Sequence, residues 1–182
     1  MIYICLLFPL TGMAQKKQLQ AVRDQIKSGK ELTKAENTLR GLLVDSASKK
    51  NNKIWLLLCD ALTKQYEQGN EKLYLKQKYD TAALFTVTRK LYDVMSRFDS
   101  LDAQPDAKGR VRAKYRAKHA EFLNSIRPNL FNGGSYFIHK KDYNTAFDYY
   151  SDYLLSANYP LFEGYDYMQK DALIPHAAYW AM

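Results

Sequence analysis

The chain has 182 residues, 47% hydrophobic and 25% charged, with 27 Lys+Arg against 19 Asp+Glu and a formal net charge of +8. That length and mix exclude a disordered or collagen-like chain and suit a globular unit able to bury ~70% of its unfolded surface. Fifteen Tyr beside only 8 Gly and 5 Pro exclude a loop-rich, disulfide-stapled scaffold and point to long regular elements packed through aromatic rings.

Residues 1–14 carry no charged side chain: an apolar run, Ile2 to Leu10, leads to the small residues Gly12 and Ala14 and then to Gln15-Lys16-Lys17. This is the pattern of a secretory signal cut after Ala14, although no Lys or Arg precedes the apolar run. A cytosolic apolar first helix is the alternative. A membrane span would need ~20 apolar residues, so export without a transmembrane anchor is expected, to the periplasm or the outer-membrane surface. Cleavage leaves a mature chain of residues 15–182 with one cysteine, Cys59, which can form no internal disulfide. Set in the run Ile54-Trp55-Leu56-Leu57-Leu58, it reads as a small core residue.

From there the apolar spacing is helical. A first helix is broken at Ser28-Gly29-Lys30, a second spans Leu32 to Asp45, and Ser46 to Asn52 is a polar loop. Ile54, Leu58, Ala61, Leu62, Gln65, Tyr66 and Gly69 form a stripe with steps of three and four in which only Gln65 is polar. Leu84, Val87, Leu91, Val94, Met95 and Phe98 form the next. Asp99 to Gly109 is a linker. Val111, Tyr115, His119, Phe122 and Ile126 make a third stripe, and Phe147, Tyr150, Tyr153 and Leu154 a fourth. Pro128 either opens a helix or kinks one, and Asn158-Tyr159-Pro160 closes another. Period-two alternation and Asn-Gly or Asp-Gly hairpin signals are missing, so an all-α fold is expected.

Residues 69–82 align without gaps on 133–146: Gly69 with Gly133, Leu73 with Phe137, Tyr79 with Tyr143 and Ala82 with Ala146. Physically, the Gly lets a neighbouring helix approach, the Tyr fills the turn between helices, and the Ala permits close packing. Gly134, Phe137, Tyr143, Ala146 and Tyr150 resemble the pattern of a tetratricopeptide repeat, best matched over about Pro128 to Asn158. The resemblance implies a solenoid of antiparallel helix pairs wound into a right-handed superhelix, and a protein that binds other proteins or peptides. It further implies a concave groove lined by the first helix of each unit, here Phe131, Ser135, Ile138 and His139, with Glu67, Glu71 and Tyr74 as the earlier counterparts. Family members that clamp a peptide carboxylate use Lys and Asn where this chain has Phe131 and Ser135, so the implied groove is more apolar and aromatic. The final segment, Ile174 to Met182, looks like the first helix of a further repeat, which is expected either to cap the stack or to continue beyond it.

Chemistry-bearing motifs are sparse. His119, His139 and His176 stand in separate segments without metal-ligand spacing, and no zinc, phosphate-loop or nucleophile-elbow motif occurs. No catalysis, cofactor or metal is expected. The segment Lys108 to His119 carries six cations and no acid, so a helix there would display Arg110, Arg112, Lys114 and Arg116 on a broad basic surface. That surface is either a solvated face balancing the acidic stretch Asp142 to Asp171 or a docking face for an acidic protein. The signal and the lack of a nucleic-acid-binding motif argue against nucleic acid. Nine Tyr lie from Tyr136 onward, and those from Tyr159 to Tyr167 offer rings on which a sugar could stack. The leading expectation is a non-catalytic interaction scaffold of the bacterial envelope. The alternatives are an exported carbohydrate-binding module and an N-terminal accessory region of a longer protein.

Overall fold

A computed structural model describes residues 10–182, so most of the signal-like segment lies outside the described residues. Among those residues every regular element is helical. They fall into two compact units, residues up to Gln65 and from Tyr66 onward.

The first unit holds α1 (Leu10–Ser28), α2 (Leu32–Leu42) and the start of α3 (Asn52–Tyr74). Gly29, at φ 68°, turns the chain between α1 and α2. α2 stops at Leu42, three residues short of the expected end, and the Asp45 carboxylate then accepts from the Ser48 amide at 2.9 Å. Val22, Ala35, Leu39, Ile54, Leu58, Ala61 and Leu62 form the core, with Cys59 only 2% exposed among them. Burial pushes the Cys59 thiol well above its usual range, with Asp60 adding to the effect. Glu36 is buried as well. Its carboxylate accepts from Arg40 Nε at 2.9 Å and from Gln65 Nε2 at 3.0 Å. This explains the one polar member of the α3 stripe, since an unmet buried carboxylate would cost several kcal/mol or shift its protonation.

The second unit holds the rest of α3 with α4 (Thr81–Asp102), α5 (Arg116–Ile126), α6 (Pro128–His139), α7 (Tyr143–Ser156), α8 (Tyr167–Lys170) and α9 (Ile174–Trp180). Pro128 opens α6, where its missing N–H costs little, and a single residue separates it from α5. α6 and α7 pack directly on each other. An ideal Cβ at Gly133 would fall 2.6 Å from the Tyr149 ring and one at Gly134 2.6 Å from the Tyr150 ring, so the paired glycines seat two tyrosines against the helix backbone. Tyr79 sits in the same way over Gly69. The gapless alignment does not carry through the turns, however. Lys76 and Lys141 both take positive φ and close matching helix ends, with Gln77 N donating to Lys72 O and Asp142 N to Phe137 O. After Lys141 the chain enters α7 at once through the cap Asp142, whereas Gln77 to Tyr79 intervene before the cap Asp80. Tyr79 can therefore fold back onto Gly69, while its sequence counterpart Tyr143 is 62% exposed and fills no turn. Phe147, expected in the core stripe, is exposed too.

Arg127, between α5 and α6, is buried and sandwiched by the Tyr153 ring at 3.8 Å and the Tyr167 ring at 4.1 Å. It donates to the Asp171 carboxylate and to the Tyr153 carbonyl at 3.1 Å, while its Nε has no partner. The Tyr153 hydroxyl donates to Asp171 at 2.5 Å, so one cluster fastens α7 and the segment before α9 to the start of α6. Burial would raise the Asp171 carboxyl, but the Tyr153 hydroxyl, the Leu173 amide and Arg127 together hold it below the ordinary carboxylate range.

Candidate functional site

One face of α3 carries Glu67, Asn70, Glu71 and Tyr74 at helical steps of three and four. With Tyr66 of the same helix and Phe122, Ser125 and Ile126 of α5, they line a groove of about 510 Å³. Its floor is aromatic and aliphatic: Tyr66 and Phe122 meet edge to face at 6.1 Å, and Ile126 is buried. Asn129 Nδ2 donates to the Tyr66 hydroxyl at 2.8 Å and fixes that ring. On the rim, Glu67 and Glu71 are exposed and Tyr74 is 84% exposed. The sequence-nominated trio Glu67, Glu71 and Tyr74 thus meets in one concavity, while Tyr66, Phe122 and Ile126 had been read only as core and Asn70 and Ser125 had carried no signal.

The α6 residues nominated beside them are placed differently. The Phe131 ring packs edge-on against Tyr150 at 5.3 Å and Tyr153 at 5.6 Å, and the Ser135 hydroxyl is 3.0 Å from the Tyr150 hydroxyl. Both contact α7 and remain half-buried. Ile138 is half-buried and His139 exposed at the end of α6, and none of the four lines the groove that holds Glu67 and Glu71.

The basic segment is not a helix up to Tyr115, so the expected lines of cations do not form. Asp106 captures the Lys108 and Arg110 amides at 2.8 and 3.0 Å and the Arg110 guanidinium at 2.8 Å, and Asp102 accepts from the Tyr115 amide at 3.0 Å. Such local bonds give the backbone an alternative to helix. Arg116, the first residue of α5, makes a two-point contact with buried Asp99 at 2.9 and 2.8 Å. Arg110 and Arg116 are thereby neutralised, which leaves Arg112 and Lys114 exposed beside Val111, itself 61% exposed. The acidic stretch is also compensated locally: Asp148 and Asp152 face Arg89, Asp166 faces Lys170 and Asp171 faces Arg127.

A second cleft, about 440 Å³, lies among the C-terminal tyrosines and is lined by Tyr159 and Tyr167 together with Asn158, Glu163, Asp166 and Met168. Tyr167 gives one face to Arg127 and donates its hydroxyl to Asn124 at 2.5 Å, and burial raises that hydroxyl to about 12.

Among the described residues no three His, Cys, Asp or Glu stand together as a metal site. His119 is buried between the Phe98 ring at 5.7 Å and the Tyr115 ring at 6.0 Å, with no hydrogen-bond partner at Nδ1. Desolvation, then Lys118, lowers its affinity for a proton, against a smaller opposing effect of Asp99 and Asp102. No described helix is long and apolar enough to cross a membrane. Comparison with family models, with curated proteins and with solved structures finds no match, so a functional reading rests on the sequence and this geometry.

Proposed function

We propose that this chain is a non-catalytic interaction scaffold of the bacterial envelope, built from tetratricopeptide-like helix pairs, which receives a protein or peptide segment in the groove between α3 and α5. The groove carries the reading. It joins a ring-lined apolar floor to a rim of exposed polar side chains on well-formed helices, the composition expected of a peptide site. Glycine-seated tyrosines at Gly69, Gly133 and Gly134 support the helix-pair reading, and the signal-like pattern of residues 1–14 supports export. The absence of catalysis is supported by the buried, proton-retaining Cys59 thiol and by histidines dispersed through the chain.

Site-specific photo-crosslinking in envelope preparations tests the scaffold. A crosslinker at Tyr74 should yield a discrete protein adduct and one at exposed Tyr143 should not. Equal labelling at both positions, or none at Tyr74, overturns the reading. A second reading, glycan binding, is favoured by the tyrosine cleft, where Asn158, Glu163 and Asp166 supply hydrogen-bonding groups for hydroxyls beside a ring. Glycan-array binding abolished by Tyr159→Ala would support that reading in place of the first.

A further inference from the structure

Resting on the groove as a peptide site, we infer that its occupant is a cationic segment: a Lys or Arg flanked by aliphatic residues, with its aliphatic stem on the Tyr66, Phe122 and Ile126 floor and its charged end between the Glu71 and Glu67 carboxylates. The charge pattern leads to this assignment. The chain as a whole is +8, yet no Lys, Arg or His lines the groove, and both ionisable carboxylates in it lie on one wall. The lining is therefore acidic in a chain that is basic overall.

Glu67 and Glu71 are one helical turn apart, a spacing that lets a single ammonium or guanidinium meet both. Tyr74, one turn further, presents an open ring face for the same cation. The floor is too apolar for a charge but suits the methylenes of a long side chain, and Lys and Arg divide in this way, stem on apolar surface and head in polar surroundings. An acidic segment would place its carboxylate against Glu71 with no cation in the lining to answer it. A wholly apolar segment would fill the floor and leave the rim unused.

Fluorescence anisotropy on the full chain tests this with three labelled octapeptides of one sequence, Gly-Ser-Leu-X-Leu-Ser-Gly-Gly, where X is Lys, norleucine or Glu. At about 0.1 M salt the Debye length is ~10 Å, so the distant positive field is largely screened while contact with the rim persists. The Lys peptide should bind more tightly than the norleucine peptide by about 2- to 5-fold for each exposed carboxylate engaged, and the Glu peptide least. Glu71→Gln should reduce the Lys preference without weakening norleucine binding, and Glu67→Gln with Glu71→Gln should remove it. Equal binding of Lys and norleucine peptides, with both lost in Phe122→Ala, overturns the cation assignment and leaves the peptide groove standing. Failure of all three peptides to bind overturns the assignment together with the groove. Far-UV circular dichroism of each variant separates a lost contact from a lost fold.

Discussion

Replacing Gly134 by Ala tests one of the close approaches of a ring to helix backbone in the second unit. In an ordinary exposed helix that change stabilises by up to about 1 kcal/mol, because Ala loses less backbone freedom on folding. At Gly134 the new methyl would meet the Tyr150 ring at 2.6, 2.7 and 2.8 Å, inside any tolerable contact. Nor can the ring swing aside easily, since its hydroxyl bonds to Ser135 at 3.0 Å and Phe131 packs edge-on at 5.3 Å. Overpacking of this kind costs about 1–3 kcal/mol, which after the Ala gain leaves a net loss of about 1 kcal/mol. For a chain of this size that corresponds to a fall in Tm of about 2–4 °C. Gly41→Ala, where nothing lies within 4 Å of the added carbon, should be neutral or stabilising. Urea denaturation followed by tyrosine near-UV circular dichroism reads the effect. A double-mutant cycle with Tyr150→Leu isolates it, because leucine lacks the ring atoms that collide. A gain in stability for Gly134→Ala, or an equal loss in the Tyr150→Leu background, would refute the close-approach explanation.

Arg127→Met should cost about 3–5 kcal/mol in urea unfolding, because it leaves the Asp171 carboxylate largely buried without its cation. A loss below about 1 kcal/mol would show that the cluster is not a fastening. Lowering the pH should weaken the fold through His119. Its folded proton affinity is depressed, so the unfolded chain protonates first, near the ordinary ~6.5, and stability that is full above that pH falls away below it. His119→Phe, with rings already on either side, should flatten the slope of Tm against pH between about 7 and 5.5 relative to the parent, and an unchanged slope would assign the effect elsewhere. Cys59, 2% exposed, should resist a thiol reagent in the native chain and react fully in urea. Prompt native reaction would contradict its burial.

The helices were legible because burial on one face writes a period into the sequence. Leu58, Ala61 and Leu62 of α3 and Leu91, Val94 and Met95 of α4 are buried as their spacing predicted. The close approach at Gly133 and Gly134 was legible for a related reason, since adjacent glycines inside an aromatic helix have few other uses. Local spacing failed where a distant partner decides. Gln65 reads as a defect in its stripe until Glu36 is set against it, and Phe122 reads as core until its neighbour Tyr66 is seen beside the open face of α3. Lys and Arg are good helix formers, so 108–115 looked helical, but the Asp106 and Asp102 carboxylates capture its amides first. Tyr143 and Phe147 were misread because the direct passage from Lys141 through the cap Asp142 into α7 sets that helix in a phase that leaves both outside. The α3 half of the groove was named through the repeat alignment and the resemblance built on it, and the α5 half was not named.

The distribution of guanidinium groups gives the chain a chemical division that its net charge conceals. Arg40, Arg89, Arg97, Arg110, Arg116 and Arg127 each clasp a carboxylate, and several of these clasps join separate helices or loops. The planar fork of arginine suits that work, whereas the ammonium of lysine is a strongly hydrated point charge. Lysines make up 19 of the 27 basic residues, against 8 arginines, so they supply most of the positive excess. Surface potential and architecture are therefore addressable by different reagents. Acylation of lysine amines would draw the chain toward neutrality and beyond while leaving the arginine clasps closed, whereas a dicarbonyl reagent aimed at guanidinium groups would loosen helix from helix before it altered the charge by more than a few units.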